Sequence, residues 1–434
     1  MSALERIRDR SAVVAIVGMG RVGLPLGIAF AAGGLRVMGI DPDESRRAAI
    51  ELGKLPFQEV GAEEALAETV GSGRLTVHAD PADAIPHADV IVLSVGTPLA
   101  NDLRPNYAQL RAALDQLAPH LRPGQLLIQR STVSPGTLLK VIRPFLRERV
   151  PEVADQLLLA ACPERIAEGK AMEELAILPE IVGGADPAST ATAAELFRVL
   201  NPDKVIHETD PTSAELAKLF TNVYRYVNFA LANEYAILGE HYQVDAHRVI
   251  DMVNHDYPRA NVPKPGPAGG PCLSKDGYFL VEELSLPDFV LTAWKLNDSA
   301  PAYAVRRLAR RLAAEGHTLA GSPVAVLGRT FKRDSDDLRE SPAGRVIELL
   351  QREGAQVRAH DPFVPGPTFE EALGGARAFV LATNHSYYET IDPQEVSKLM
   401  DAPRVGVDCW AQLDRGAFSA AGVKVAAFGV GEEL

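Results

Sequence analysis

The 434-residue chain has few cysteines, no excess of positive charge and no long apolar segment. Its three cysteines are an odd number without paired spacing, so we expect no disulfide framework and a reducing compartment. The lack of HExxH and CxxC patterns leaves no support for zinc. No apolar run reaches the ~18 residues that span a bilayer. A formal charge of −13 disfavours a nucleic-acid surface, since such surfaces concentrate positive charge. We therefore predict a cytoplasmic protein that uses no metal, membrane or nucleic acid.

What the chain does contain is an alternation of short Val- and Ile-rich runs with longer segments of helical period. The alternation extends from residue 12 to about residue 200, a pattern typical of βαβ units and parallel sheets covered on both faces. It returns in four later runs, at residues 322–328, 356–362, 377–383 and 404–410. We therefore predict an α/β protein with two doubly wound domains.

The region between the two α/β parts has a different sequence pattern. Neither Gly nor Pro occurs from Thr212 to Ile237, and Asp210 or Thr212 can cap the start of a helix. This stretch predicts one long helix, which leads into a mainly helical central region.

The segment "AVVAIVGMGRVG" places Gly18, Gly20 and Gly23 in a GxGxxG pattern between an apolar strand and a helix. Glycines at this spacing permit a tight turn, and the helix N-terminus offers N–H donors to a pyrophosphate. A plain structural turn fits the glycines alone about as well. Asp41, at the end of the second strand, can accept hydrogen bonds from ribose hydroxyls and repels a 2′-phosphate, which favours NAD over NADP. Arg46 lies close by and weakens that preference.

Three further loops follow predicted strands, where ligands bind in open α/β sheets. Ser94–Leu99 and Arg130–Thr137 offer hydroxyls and backbone amides, although ordinary turns have the same composition. The third loop, "ACPERIAEGK", places Glu164 and Glu168 four residues apart. If it enters a helix, the two carboxylates share a face, and one with its pKa raised in a dry cleft could act as a base. A solvated helix surface is the alternative interpretation.

Two groups of residues are suited to carbonyl chemistry. Lys218 and Asn222, four apart on the predicted long helix, could hold a developing oxyanion or could form a plain polar face. In "GPAGGPCLSKD", Cys272 lies between flexible glycines and the pair Lys275 and Asp276. A cysteine is most often a buried small hydrophobe. Here, close approach and a nearby ammonium favour a reactive thiolate, so Cys272 is a candidate nucleophile for a carbonyl.

A charged loop, "LGRTFKRDSDDLRESP", follows the first strand of the C-terminal α/β part. Lys332, Arg333 and Arg339 precede a helix that starts near Ser341, and such basic side chains favour an anionic ligand such as a diphosphate. A structural loop neutralised by its own aspartates fits equally well.

Six motifs follow one another along the chain: "GMGRVGLPL", "STVSPGT", "CPERIAEGKA", "KLFTNVYRYVNFALANE", "GGPCLSKD" and "FKRDSDDLRESP". In this order they resemble the nucleotide-sugar 6-dehydrogenase family, which oxidises UDP-glucose or UDP-N-acetylhexosamines, over nearly the whole chain. The resemblance implies an NAD-binding Rossmann domain over residues 1–205 and a UDP-sugar-binding Rossmann-like domain over residues 306–434. It also implies a central helical dimerisation region with the catalytic cysteine over residues 206–305.

The resemblance assigns residues to the cofactor and to the substrate. Those implied to contact NAD are Gly18, Gly20, Gly23, Asp41, Arg46, Thr97, Thr132, Glu168 and Arg339. Those implied to hold the UDP-sugar are Glu164, Arg165, Lys218, Asn222, Arg259, Phe331, Lys332 and the backbone of Lys264 to Gly269.

The reaction that the resemblance implies is oxidation of the sugar C6 hydroxyl to a carboxylate with two NAD⁺. Lys218 and Asn222 would stabilise the oxyanions, and Asp276 with an ordered water would help to remove a proton. Cys272 would form a thiohemiacetal and then a thioester, which Glu164 would help water to hydrolyse. Thr132 is placed with these residues in the catalytic set.

The same resemblance bears on the assembly and the substrate. Arg259 would be offered across a subunit interface, so we expect a homodimer or a larger homo-oligomer. The "CPER" loop and the sequence Asp408-Cys409-Trp410, without the late arginine of many UDP-glucose enzymes, resemble the N-acetylmannosamine and N-acetylglucosamine branch. We expect UDP-N-acetyl-D-mannosamine first, with UDP-N-acetylglucosamine or UDP-glucose as alternatives. A non-catalytic sensor of NAD or nucleotide sugars is the alternative from another class.

Overall fold

The computed structural model describes residues 1–431, which fall into two compact units. The first unit comprises Met1–Thr221 and Tyr278–Glu283, and the second comprises Asn222–Gly277 and the chain from Leu284 onward. Within residues 1–431, no helix combines the length and the apolar character needed to cross a membrane. The predicted domain boundaries near residues 205 and 305 stay a prediction.

Eight strands form the sheet of the first unit: β1 (Val13–Val17), β2 (Arg36–Ile40), β3 (Leu75–His78), β4 (Val90–Leu93), β5 (Leu126–Gln129), β6 (Leu158–Ala161), β7 (Glu180–Gly184) and β8 (Ile206–Thr209). They lie in the order β3-β2-β1-β4-β5-β6-β7-β8. All neighbours are parallel except β6 and β7, which are antiparallel. The first six strands have the order of a doubly wound dinucleotide-binding fold.

The burial of strand β1 shows that this sheet is covered on both faces. All five of its residues are buried, because successive side chains point to opposite faces and both faces carry apolar layers. Val14 and Ile16 pack in one apolar cluster, whereas Ala15 and Val17 pack in the other.

Nine helices of the first unit surround the sheet: α1 (Ala3–Arg8), α2 (Gly23–Ala32), α3 (Glu44–Glu51), α4 (Glu63–Gly71), α5 (Ala108–Leu117), α6 (Arg143–Arg149), α7 (Pro151–Ala154), α8 (Ala171–Ile177) and α9 (Pro187–Arg198). A π-helical segment, Leu138–Ile142, leads into α6.

The predicted long helix is present as α10 (Pro211–His241), which continues from the first unit into the second. The Asp210 carboxylate caps it by accepting the N–H of Ser213 at 3.0 Å. Three helices follow: α11 (Ala246–Asn254), α12 (Leu273–Val281) and α13 (Asp288–Ala314).

The second unit contains a smaller parallel sheet. Its strands are β9 (Pro323–Leu327), β10 (Gln356–His360), β11 (Ala378–Leu381), β12 (Val405–Asp408) and β13 (Lys424–Ala427), in the order β10-β9-β11-β12-β13. The helices of this part are α14 (Pro342–Arg352), α15 (Phe369–Leu373), α16 (Pro393–Leu399) and α17 (Arg415–Ala420). The prediction of two Rossmann-like, doubly wound domains with one long central helix is confirmed.

Candidate active site

The glycine turn after β1 has the geometry that the GxGxxG pattern predicts. Gly18 has φ +95°, and a Cβ there would lie 2.5 Å from the carbonyl oxygen of Ser94. A Cβ at Gly23 would collide with the carbonyl oxygen of Gly18. At Gly20, by contrast, a Cβ would meet nothing within 4 Å. Two of the glycines thus serve the packing of the turn, while the third leaves space at its outer side.

Asp41 lies directly after β2 and faces this turn. Its carboxylate is 2% exposed and accepts the N–H of Met19 at 2.8 Å and that of Asp43 at 3.0 Å. Arg46 Nη1 donates to both carboxylate oxygens, at 2.9 and 2.8 Å. The open side of Gly20, the N-terminus of α2 and the Asp41 carboxylate together fit NAD. Arg46 neutralises much of the negative charge that would repel a 2′-phosphate.

The loops after β4 and β5, both predicted to contact NAD, contact each other. The Thr97 hydroxyl donates to the carbonyl of Thr132 at 2.6 Å. The second loop is fixed from α10 by Glu215, whose carboxylate accepts the N–H of Gly136 at 2.5 Å and of Leu138 at 2.9 Å. Burial raises the pKa of Glu215 to about 7. None of the sequence motifs points to this residue.

Glu164 is buried and fully engaged. One carboxylate oxygen accepts from Arg130 Nε at 2.9 Å and Nη2 at 2.5 Å, and the other accepts the N–H groups of Arg165 and Ile166 at 2.6 and 2.9 Å. Burial alone would raise the pKa of Glu164, but the Arg130 charge and these N–H donors outweigh burial and lower it. The expectation of a carboxyl in this loop with a raised pKa is therefore wrong for Glu164.

The condition under which Glu164 and Glu168 would share a helix face is not met. The chain is irregular from Glu164 to Gly169, and α8 begins only at Ala171. The reason is local, since the Glu164 carboxylate binds the two N–H groups that follow it and so favours a turn over a helix. Glu168 is partly buried in the same loop.

Arg130 is the buried centre of this region. It is 1% exposed, and Nη1 donates to Glu180 at 2.7 Å and to the carbonyl of Cys162 at 2.9 Å. Its guanidinium also stacks 4.8 Å from the ring centre of Phe197. Two carboxylates thus share one cation, and burial raises the pKa of Glu180. Arg130 is the first residue of the "RSTVSPGT" motif, but no sequence pattern pairs it with one acid from the loop after β6 and another from β7.

Asn222, Lys275 and Asp276 come together in the second unit. The Asp276 carboxylate is fully buried and accepts from Asn222 Nδ2 at 2.6 Å and from Lys275 Nζ at 3.1 Å. Lys218, one turn before Asn222 on α10, is only 8% exposed. Lys218 belongs to the first unit and Asn222 to the second, and each is a buried donor of the kind that can hold an oxyanion.

Cys272 lies immediately before α12. It is exposed, whereas Cys162 and Cys409 are buried, and burial raises the pKa of both buried thiols. The Cys272 carbonyl accepts the N–H groups of Lys275 and Asp276 at 3.2 and 3.1 Å, which places the residue at the positive end of the helix. An accessible thiol at a helix N-terminus is suited to nucleophilic attack.

The glycines before Cys272 pack against the charged loop of the second unit. Gly270 has φ +95°, its N–H donates to the carbonyl of Glu340 at 2.9 Å, and a Cβ there would collide with the ring of Phe331. A Cβ at Gly269 would lie 2.5 Å from Pro342 Cδ. The structure therefore packs Gly270 against Phe331 and Gly269 against Pro342, and Lys332 follows Phe331 in the same loop.

Two predicted arginines lie outside these clusters, and the side chain of a third, Arg165, bonds a backbone carbonyl beside the Glu164 cluster. Arg259 is exposed, and its guanidinium lies 4.8 Å from the ring centre of Tyr257. Arg339, predicted to contact NAD, belongs to the second unit and donates to the Asp337 carboxylate at 2.6 Å. Arg165 donates to the carbonyl of Pro179.

Comparisons with known proteins agree with this architecture. Three models of the UDP-glucose/GDP-mannose dehydrogenase family match the chain, the NAD binding domain at residues 12–222, the central domain at 212–298 and the UDP binding domain at 325–415. The UDP-N-acetyl-D-mannosamine dehydrogenase of Methanocaldococcus jannaschii is 30% identical over 430 residues, which are 96% of this chain and 97% of that protein.

Solved structures give the same result. The UDP-D-ManNAc dehydrogenase of Pyrococcus horikoshii matches with a TM-score of 0.91 and 30% identity, over 97% of this chain and 100% of that chain. A UDP-glucose dehydrogenase of Pyrobaculum islandicum matches with a TM-score of 0.85 and 27% identity, over 97% and 98%. The predictions of an NAD-dependent oxidoreductase and of NAD as its cofactor are confirmed. The chain belongs to the UDP-glucose/GDP-mannose dehydrogenase family of NAD-dependent nucleotide-sugar dehydrogenases.

Proposed function

We propose that this chain oxidises the C6 hydroxyl of a UDP-N-acetylhexosamine, with UDP-N-acetyl-D-mannosamine as the first substrate, to the carboxylate. The observation that carries the proposal is the exposed Cys272 at the start of α12, next to the buried cluster of Asn222, Lys275 and Asp276. A thiol nucleophile is needed for oxidation beyond the aldehyde, because the aldehyde must gain a bond before it can lose a second hydride.

The choice of sugar is supported by two features. A curated relative and a solved structure, each 30% identical to this chain, are named as dehydrogenases of UDP-N-acetylmannosamine. The turn after β12 presents Trp410 near the place where many UDP-glucose enzymes have an arginine. The Trp410 ring leaves no room for a Cβ on Gly266, which lies in the segment assigned to the sugar nucleotide. UDP-N-acetylglucosamine and UDP-glucose are the alternatives.

The first oxidation needs a base and a way to hold an alkoxide. Bound NAD⁺ supplies the hydride acceptor in this step and in the second oxidation. Asp276, held between an amide and an ammonium, accepts the hydroxyl proton through a water. Lys218 and Asn222 donate to the alkoxide and to the later oxyanion, charges that develop only during reaction. Thr132, joined to Thr97 by a hydrogen bond, belongs to the loop assigned to the nicotinamide half.

The second oxidation proceeds on the protein. The Cys272 thiolate forms a bond to the aldehyde carbon and gives a thiohemiacetal, whose carbon then loses a hydride to give a thioester. Water cleaves the thioester and releases the carboxylate and the thiol. Each sugar thus consumes two NAD⁺ and one water, and releases two NADH and three protons. Glu164 is kept ionised by its lowered pKa, and because N–H donors occupy its acceptor sites it assists the hydrolytic water through its negative charge.

A homodimer is part of the proposal. Tyr224, Leu231, Tyr235 and Leu238 are exposed apolar or aromatic side chains at helical spacing on α10, and exposed Tyr242 follows its last residue. On α11, Val249, Met252 and Val253 are also exposed. Exposed apolar side chains in such number are typical of an interface. Light scattering should report a dimer for the wild type and a monomer for a Leu231→Asp, Leu238→Asp double variant, whereas a monomeric wild type would remove this part of the proposal.

The test of the function is a panel of UDP-sugars with NADH absorbance and product counting. The proposal expects two NADH per sugar, with the highest kcat/KM for an acetylated hexosamine. One NADH per sugar would indicate an alcohol-to-carbonyl dehydrogenase, and none would indicate a sensor. If UDP-glucose exceeded both acetylated sugars tenfold, which is about 1.4 kcal/mol in transition-state binding, the sugar assignment would be wrong.

A further inference from the structure

A fully buried histidine, His385, lies after β11 and contacts the charged loop that follows β9. Its Nδ1 accepts the N–H of Asp334 at 2.9 Å. Because Nδ1 is an acceptor, a neutral ring carries its proton on Nε2. Nε2 lies 3.1 Å from the Asp361 carboxylate and 3.1 Å from the Thr330 hydroxyl. His385 therefore links the backbone of the loop to a buried acid.

Asp361 acts on the same loop from the other side. It follows β10, and one carboxylate oxygen accepts the N–H of Arg329 at 2.6 Å and of Thr330 at 3.2 Å. Its other oxygen accepts the N–H of Phe363 at 2.9 Å. Burial alone would raise the pKa of Asp361, but the His385 hydrogen bond and these N–H donors lower it, which keeps the acid ionised. The pair thus binds both ends of the segment from Arg329 to Asp334.

A packing contact connects this segment to the stretch that precedes Cys272. It carries Phe331, whose ring lies where a Cβ of Gly270 would be. Gly270 in turn precedes Cys272 by two residues, and the Ser274 hydroxyl donates to its carbonyl at 2.8 Å. A displaced Phe331 would leave Gly270 without its packing partner, just before the start of α12.

Each of the two units has an aspartate directly after the second strand of its sheet, and the two aspartates have different partners. In the first unit, Asp41 also follows a second strand and accepts the N–H groups of Met19 and Asp43, but its side-chain partner is the partly exposed Arg46. In the second unit, Asp361 has no exposed side-chain surface, and its oxygens are taken by His385 and three backbone N–H groups. The second acid therefore orders a loop and does not face a ribose.

We propose that the His385–Asp361 pair is a positioning element that sets the loop from Arg329 to Asp334 for UDP binding and, through Phe331 and Gly270, sets the start of α12 at Cys272. The proposal rests on the proposed function in assigning this loop to the UDP-sugar. Neither residue touches the reacting atoms, so the expected effects fall on UDP affinity and on thiol reactivity.

The test compares His385→Leu, His385→Asn and Gly270→Ala in the full chain. We measure the Kd of UDP by calorimetry, and the rate of Cys272 alkylation by iodoacetamide without ligand. His385→Leu loses two buried hydrogen bonds and should raise the Kd of UDP on the order of tenfold. His385→Asn keeps an acceptor near the Nδ1 position and should recover part of the affinity. Gly270→Ala displaces Phe331 without touching the histidine and should slow alkylation, as His385→Leu does.

Tyr388→Phe is the matched control. Tyr388 is equally buried, and its hydroxyl bonds His360 instead of the loop. It should lower thermal stability while leaving UDP affinity and alkylation at wild-type values. Equal loss of affinity in the control, or wild-type values in both His385→Leu and Gly270→Ala, would overturn the proposal. If the wild type binds UDP but oxidises no UDP-sugar, the proposed function fails, while this test still decides the role of His385.

Discussion

Replacing Arg130 by methionine tests the buried ion cluster of the first unit. The substitution removes the cation that Glu164 and Glu180 share, together with its stacking on Phe197, but keeps an unbranched apolar side chain at the position. Because Arg130 is 1% exposed, water cannot replace it without opening the core. Breaking a buried pair by removing one partner costs roughly 3–5 kcal/mol, so we expect a loss of that size at pH 8.

The loss should depend on pH, and the sign follows from the pKa directions. In the wild type the folded-state pKa of Glu164 is lowered, so its contribution is present above the unfolded-state pKa and is lost as pH falls through the folded one. In Arg130→Met, burial without a cation raises the pKa of both acids. The folded variant then binds protons as pH falls, and part of the lost stability returns on acidification.

The assay is urea denaturation of the wild type and Arg130→Met at pH 8 and near pH 5.5, with unfolding monitored by a spectroscopic probe in the first unit. Arg147→Met is the matched control, because Arg147 and Asp155 form an exposed ion pair that should contribute at most about 1 kcal/mol. The reasoning is refuted if Arg130→Met loses no more stability than Arg147→Met, or if its loss is the same at the two pH values.

Two further predictions concern α10. Lys218→Ala should lower kcat on the order of 10²- to 10³-fold and change the KM for the UDP-sugar much less, because the ammonium acts on a charge present only in the transition state; a near-normal kcat in steady-state assays would return Lys218 to a structural role. Glu215→Gln should remove a pH dependence of stability. The folded-state pKa of Glu215 is raised from 4.5 to about 7, so the wild type binds an extra proton on folding and loses stability as pH rises through that window. Between pH 4.5 and 8, the melting temperature of the wild type should fall more steeply with rising pH than that of the variant. Parallel curves for the two proteins would contradict the assignment.

The features that the sequence predicted correctly are those with a local signal. The Gly18 turn needs a positive φ and close contact with a neighbouring strand, and only glycine satisfies both. The uninterrupted helical stretch and its Asp210 cap lie within one segment, so α10 could be placed to within a residue at its start. The strands at the start of each Rossmann-like domain follow from their apolar runs.

The features that the sequence did not predict depend on pairings between distant segments. Arg130 meets Glu164 and Glu180 across 34 and 50 residues, and His385 meets Asp361 across 24. No periodic pattern marks such pairs, because each residue alone is an ordinary polar side chain. Glu164 and Glu168 show the opposite case, because their loop does not enter the helix that would place them on one face. The spacing suited a helix, but the side chain of Glu164 competes for the N–H groups that a helix would need free.

The central claim is covalent catalysis by Cys272, and the direct measurement is intact-protein and peptide mass spectrometry of Cys272→Ser after mixing with NAD⁺ and the UDP-sugar that the wild type oxidises. A serine ester has a more basic leaving group than a thioester, so its hydrolysis should become limiting. We expect at most about two NADH per active site, in keeping with one passage to the ester. The peptide containing residue 272 should gain the mass of the acylated sugar nucleotide, and Cys272→Ala should gain none. Turnover of Cys272→Ser near the wild-type rate, with two NADH per sugar and no adduct, would contradict the thioester mechanism for this chain.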